Sequence, residues 1–251
     1  MIVLIPGWGC SVYVFRNNLA PLAAAGFHVV AVDLKGHGLS DKPIEKGEYR
    51  LESMQSHVCE ILDALDADEV VLVGLSMGAA LAAQVAAIAE GRVRGAVLGS
   101  PVGFSGIPAL WAVRGVTVSP MVPLLPRLAT RTVVKSILEV VDGELRKLSA
   151  RDVDEYWAPT QFPEFTIAMR QLLHEFTWDA GVPPIRVPAL LISGSKDRLL
   201  SRSLARRYAH EIPGVRHVEV PDAGHVVYDE APTAVNEAMI EFATGLYSKG
   251  Q

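Results

Sequence analysis

The 251-residue chain predicts an α/β fold: a doubly wound, mainly parallel sheet of about six strands with a helical insertion. Two observations carry this expectation. Short Val-, Ile- and Leu-rich runs alternate with stretches of helical periodicity, the pattern of a parallel sheet covered by helices on both faces. One interval between strands is also far longer than a connection requires. The strand-like runs are at Ile2 to Ile5, Val29 to Val32, Val70 to Val73, Ala96 to Leu98, Ala189 to Ile192 and, more weakly, His217 to Val220. Helical patterns fall at about Phe15 to Ala25, Leu51 to Leu65, Met77 to Ala89, Arg202 to Glu211 and Ala231 to Leu246.

The long interval separates the strand ending near Gly99 from the one beginning near Ala189, roughly 85 residues where a few would serve. It opens with "SPVGFSGIP" and closes with "GVPPIRVP", and encloses the amphipathic "TRTVVKSILEVVDGELRKL" and "PEFTIAMRQLLHEF". Residues 1–100 and 186–251 are therefore expected to form the core domain, and 101–185 a helical lid. Trp111, Trp157 and Trp178, with Phe104, Phe162, Phe165 and Phe176, fall in that insertion. Their individual role is packing; together they imply an apolar ceiling.

Half of the residues are hydrophobic and the formal net charge is −5, a balance that repels phosphate backbones and anionic lipid surfaces. No nucleic-acid partner is expected on that ground. The two cysteines, Cys10 and Cys59, lack zinc or redox spacing. The start "MIVLIPGWG" has no basic leader, and no apolar run reaches membrane-spanning length, so a cytoplasmic protein is expected.

The stretch "VVLVGLSMGAALAAQVA" places Ser76 between Gly74 and Gly78 where a strand gives way to a helix. A tight strand-to-helix bend needs small residues two positions to either side, and it thrusts the central side chain above the carboxyl ends of the strands. This is the G-x-S-x-G nucleophile-elbow pattern. A serine hydroxyl needs a base, and the base needs an orienting group. Asp197 in "GSKDRLL" and His225 in "DAGHVVYDE" both follow strands and both fall on the edge of the sheet that carries Ser76. The chain order is serine, acid, histidine.

On these residues the chain resembles the α/β-hydrolase fold superfamily, in its lid-bearing serine esterase and C–C hydrolase branch. The loop "IPGWG" is similar to that family's oxyanion loop, and "DLKGHGLSDKP" resembles its D-x-x-G-x-G-x-S segment. The resemblance implies an oxyanion hole built from the backbone N–H groups of Trp8 and Met77. Two departures stand out. Pro6 precedes Gly7 where the family often has histidine, and the two strands that relatives carry ahead of this loop are missing. Val29 to Val32 is then expected at an exposed edge, open to pairing in a homodimer; a truncated start is the alternative.

Bland readings compete at each position. Ser76 alone is a helix cap, Asp197 a turn residue, and Cys10 a small packing residue. Asp33 after the second strand, with the glycines after the first, mimics a dinucleotide site. Val12 replaces the third glycine, however, and Trp8 would crowd the pyrophosphate. An NAD-dependent oxidoreductase is thus the unfavoured alternative.

The expected activity is hydrolysis of a neutral, moderately hydrophobic carboxylic ester, a small molecule, without metal or cofactor. His225 takes the Ser76 proton and Asp197 fixes the imidazole tautomer. Lactone, peptide or C–C cleavage would use the same triad, and a non-catalytic binding protein on this fold is the remaining alternative.

Overall fold

The computed structural model describes residues 1–89, 91–104, 112–115, 117 and 125–248. Six strands form one parallel sheet: β1 (Ile2–Ile5), β2 (Val29–Ala31), β3 (Val70–Leu75), β4 (Val93–Gly99), β5 (Ala189–Gly194) and β6 (Arg216–Val220). Their order is β2-β1-β3-β4-β5-β6, so the chain reverses direction across the sheet between β1 and β3. In register, Leu4 faces Ala31 on one side and Val73 on the other.

Every residue of β1, β3 and β5 is buried, as a sheet covered on both faces requires. The two-residue period of a strand sends Val3, Ile5, Val70 and Leu72 into one core. That core also contains Met54, Val58 and Leu62 of α2 (Leu51–Ala64), and α3 (Met77–Ile88). Ile2, Leu4, Val71 and Val73 enter the opposite core, with Phe15, Leu22 of α1 (Leu19–Ala24), Val235 and Met239. In α2 the buried Leu51, Met54, Val58 and Leu62 recur at three- and four-residue spacing, one stripe of the helix. By contrast α3 is buried nearly all round, and its alanines let it lie close to both the sheet and α2.

The helix expected from Phe15 starts only at Leu19, and Val12–Phe15 is a 3₁₀ turn capped by the Ser11 hydroxyl. Pro21 explains the difference. In a helix from Phe15 its ring would press on the Asn17 carbonyl; starting at Leu19 puts it in the first turn, where no N–H is needed. The freed Asn17 carbonyl accepts from Asn236 Nδ2 at 3.0 Å. β2, the predicted edge strand, is three residues long and only half-buried.

Between β4 and β5 the described segments include α4 (Arg131–Val141), α5 (Ala150–Trp157) and α6 (Pro163–Glu175). Trp111, one of the expected apolar residues, lies outside the described residues. Phe104, Phe165, Phe176 and Trp178 are buried, consistent with packing, whereas Phe162 is 43% exposed. After β5 come α7 (Arg202–Glu211), α8 (Val227–Glu230) and α9 (Pro232–Ser248).

A buried ionic cluster ties the insertion to the core. Arg146 contacts Asp142 at 2.8 Å and makes a short ion pair with Asp229, while Arg16 reaches Asp229 at 2.7 Å and Asp152 at 2.8 Å. The Asp229 side chain is fully buried. Replacing Arg146 with methionine would leave buried carboxylates uncompensated, so Arg146→Met should lower stability by about 3–5 kcal/mol in urea titration.

The β3–α3 junction is the tightest point. A Cβ on Gly74 would overlap the Gly78 carbonyl, and a Cβ on Gly78 would overlap the Ile5 and Pro6 carbonyls. Because the obstructing atoms are backbone, neither can step aside. Gly74→Ala should cost stability at or above the upper end of about 1–3 kcal/mol. Gly245, exposed in α9 with open space around it, is the control: Gly245→Ala should stabilise by about 0.5–1 kcal/mol, read as a rise in denaturation midpoint at unchanged slope.

Candidate active site

The site lies where the loops after β1, β3, β5 and β6 leave the same edge of the sheet. Ser76 holds φ +55° and ψ −113°, a backbone conformation strained for any residue with a Cβ. The strain is held from both sides: its N–H donates to the Gly99 carbonyl at 2.8 Å, and its carbonyl accepts from Ala79 and Ala80 at 3.1 Å. The bland reading of Ser76 as a side-chain helix cap fails, because its hydroxyl makes no capping bond to α3. Ser76 is half-buried beside Gly7, where a Cβ would come within 3.2 Å of the Ser76 Cβ.

Asp197 and His225 are brought together. His225 Nδ1 lies 2.9 Å from Asp197 Oδ2, with the histidine 6% exposed and the Asp197 side chain fully buried. Asp197 Oδ1 accepts the Leu199 and Leu200 N–H groups, both at 2.8 Å. The turn role is therefore real, but it uses one oxygen and leaves the other for the imidazole. Burial works to raise the Asp197 carboxyl. The neighbouring His225 charge and hydrogen bond, with the two N–H groups, outweigh it and hold the group below its ordinary value.

The third pairing is open. Among the described residues no hydrogen bond joins Ser76 Oγ to the His225 ring, although the two loops are tied through a neighbour: the buried Tyr228 hydroxyl, three residues after His225, donates to the Gly74 carbonyl at 3.1 Å. Trp8 and Met77 stand in the loop after β1 and at the first position of α3, and among the described residues neither N–H has a protein acceptor. Two unclaimed donors at one sheet edge can meet a developing negative charge.

Apolar rings flank this edge. The Trp8 ring meets Trp178 edge-on at 6.0 Å, Trp178 meets Phe176 at 5.1 Å, and the Trp8 Nε1 donates to the Met169 carbonyl at 3.2 Å. Residues of the insertion thus fix the loop that carries the Trp8 N–H. Cys10 is inert here, since burial pushes its thiol up to about 12.

Asp33 is committed elsewhere. Its carboxylate accepts the Val12 N–H at 2.7 Å and the Leu39 N–H at 2.9 Å, and Gly38 packs so closely that a Cβ would overlap it. Both oxygens that a ribose would need already accept an N–H from the chain itself. Among the described residues no group of three or more His, Cys, Asp or Glu side chains is placed to hold a metal, and no helix is long and apolar enough to cross a membrane.

Tyr228, Asp229 and Glu230 were not singled out by the sequence, yet all three are buried around the His225 loop. The available signal was local: two acids in "HVVYDE", within a short apolar stretch, are a costly choice unless each has partners.

Known proteins resemble the chain over nearly its full length. The dihydrolipoyllysine-residue acetyltransferase component of the acetoin cleaving system of Pseudomonas putida is 31% identical over 256 residues; the match covers 96% of this chain but only 62% of that protein. Epoxide hydrolase A of Mycobacterium tuberculosis is 26% identical, with 98% of this chain and 91% of that protein covered. Among solved structures, the enol-lactonase of Burkholderia xenovorans LB400 superposes with a TM-score of 0.76 at 25% identity, covering 97% of this chain and 90% of that one. The alpha/beta hydrolase family matches residues 2–238. That span includes all six strands and the loops carrying Ser76, Asp197 and His225: the chain belongs to the alpha/beta hydrolase family.

Proposed function

We propose that the protein is a serine hydrolase that cleaves a neutral, moderately hydrophobic carboxylic ester through an acyl-enzyme on Ser76. The Asp197–His225 contact carries the reading. A carboxylate on Nδ1 fixes the tautomer in which Nε2 is free to accept a proton, and it stabilises the imidazolium that results. Ser76 Oγ adds to the ester carbonyl as its proton passes to Nε2, and the oxyanion is met by the Trp8 and Met77 N–H groups. Collapse expels the alkoxide, which takes the proton from His225. Water then adds to the acyl carbon, gives a proton to His225, and frees the carboxylic acid while Ser76 recovers its hydrogen. The open serine–histidine pairing is compatible with this scheme, since such bonds tighten when substrate binds.

Trp8, Trp178 and Phe176 supply an apolar wall, and residues 101–185 serve as a lid over it on this reading, with 1–100 and 186–251 as the catalytic core. The net charge of −5 favours an uncharged substrate over a polyanion. Two unpaired thiols suit a cytoplasmic setting.

The epoxide hydrolase relative raises a second substrate class, and the nucleophile argues against it. A serine oxygen that opened an epoxide would form an ether, in which no carbonyl carbon remains for water to attack. An ester or lactone returns the free serine; an epoxide would not.

Ser76→Ala and His225→Ala should each lower kcat by about 10⁴- to 10⁶-fold, and Asp197→Asn by about 10⁴-fold, on p-nitrophenyl esters of graded acyl length. Near-normal turnover in either alanine variant refutes the assignment. A fluorophosphonate should add to Ser76 alone, located by peptide mass mapping. Offered an aryl epoxide, the protein should complete at most one event per active site, and sustained diol formation would count against the ester reading.

A further inference from the structure

We infer that Glu230, together with the Val141–Gly143 end of the insertion, is a positioning clamp for His225; this rests on the reading of Ser76 and His225 given above. Glu230 is 6% exposed, and its carboxylate accepts three backbone N–H groups. Oε2 takes Gly143 at 2.6 Å and Gly224 at 3.0 Å, and Oε1 takes Val226 at 3.1 Å. Gly224 and Val226 are the residues on either side of His225. The histidine's own N–H donates to the Val141 carbonyl at 2.9 Å. Three consecutive N–H groups, 224 to 226, are thus each assigned an acceptor, two by one side chain and one by the insertion.

The contact leaves no slack. A Cβ on Gly143 would overlap the Asp222 carbonyl and the Gly224 nitrogen, and the Glu144 N–H donates to the Asp222 carbonyl at 2.9 Å. Asp142, between the two gripping residues, is fixed through Arg146, which also holds Asp229, the neighbour of Glu230. Burial raises the Glu230 carboxyl while its three N–H partners work to lower it, a costly placement for a side chain with only a packing role. Asp197 orients the ring about Nδ1; Glu230 fixes the backbone from which the ring hangs. A displacement of about 1 Å at a reacting group costs on the order of 10²-fold in rate.

Glu230→Gln keeps the shape but replaces one acceptor oxygen with a donor, so at least one of the three N–H groups loses its partner. In folded protein well below its melting temperature, kcat for ester hydrolysis should fall by about 10- to 100-fold with KM within about twofold. The rate of fluorophosphonate labelling should fall in parallel, and the low-field proton resonance of the His225 Nδ1–H should move. Added to His225→Ala, Glu230→Gln should cause no further loss. A role confined to stability would lower the melting temperature and leave kcat, the labelling rate and the Nδ1–H resonance unchanged, overturning the inference. Should Glu230→Gln not fold, hydrogen exchange of the unaltered protein decides: the Gly143, Gly224 and Val226 amides should exchange together in the slow class, and fast exchange at Val226 overturns the clamp. Retained turnover in Ser76→Ala would remove the reading of the site and this inference with it. Loss in Ser76→Ala with unchanged kcat in Glu230→Gln removes the inference alone.

Discussion

Backbone meets backbone at the β3–α3 junction, and the rest of the molecule is arranged around that contact. With no side chain at Gly74 or Gly78, the helix leaves the strand at once and seats itself against the carbonyls that end β1. Ser76 has no freedom in the process. Its positive φ is enforced by the Gly99 carbonyl, which accepts the Ser76 N–H, on one side and the first turn of α3 on the other. Tyr228, fully buried, then braces the same point from the third direction through the Gly74 carbonyl. A strained residue persists only when its surroundings over-determine it, and here a strand, a helix and a distant tyrosine do so.

The second organising feature is electrostatic. Arg16, Arg146, Asp142, Asp152 and Asp229 form an ionic cluster in a place where an apolar one would have sufficed for packing. Buried ion pairs are weak sources of net stability, because desolvation offsets the Coulomb attraction. They are directional, however, and tolerate only one arrangement of their partners. The Arg146 guanidinium, bonded to Asp142 and Asp229, joins this part of the insertion to α8, which follows His225. The capping box of Ser149 and Asp152 extends that order into α5.

Much of this was legible in the residues, and the reasons differ by feature. The parallel pairing followed from alternation of strand and helix, which places helices on both faces of one sheet. The neighbours of Ser76 were legible because the elbow is a local steric problem whose solution is written in five residues. The Asp197–His225 contact was inferable from chain order and from both lying after strands. The periodicity of "FRNNLAPLAAA" places the start of α1 four residues too early, because it carries no sign of the constraint that Pro21 imposes. Glu230 was missed for another reason. Its partners are Gly143 on one side and Gly224 and Val226 on the other, and a carboxylate that binds backbone N–H groups leaves no matching residue type in the sequence. Asp33 resembles a ribose ligand in sequence because its true partners, the Val12 and Leu39 N–H groups, are backbone groups that no composition could mark.

The ordering of the three polar groups along the chain has a consequence for biosynthesis. Ser76 leaves the ribosome early, whereas His225 follows β6, the last strand in the chain and the one at the far edge of the sheet. On the proposed reading of the site, a nascent polypeptide halted before residue 225 would carry the strained serine without the histidine that activates it, and the hydroxyl would stay quiescent until the far edge of the sheet had closed.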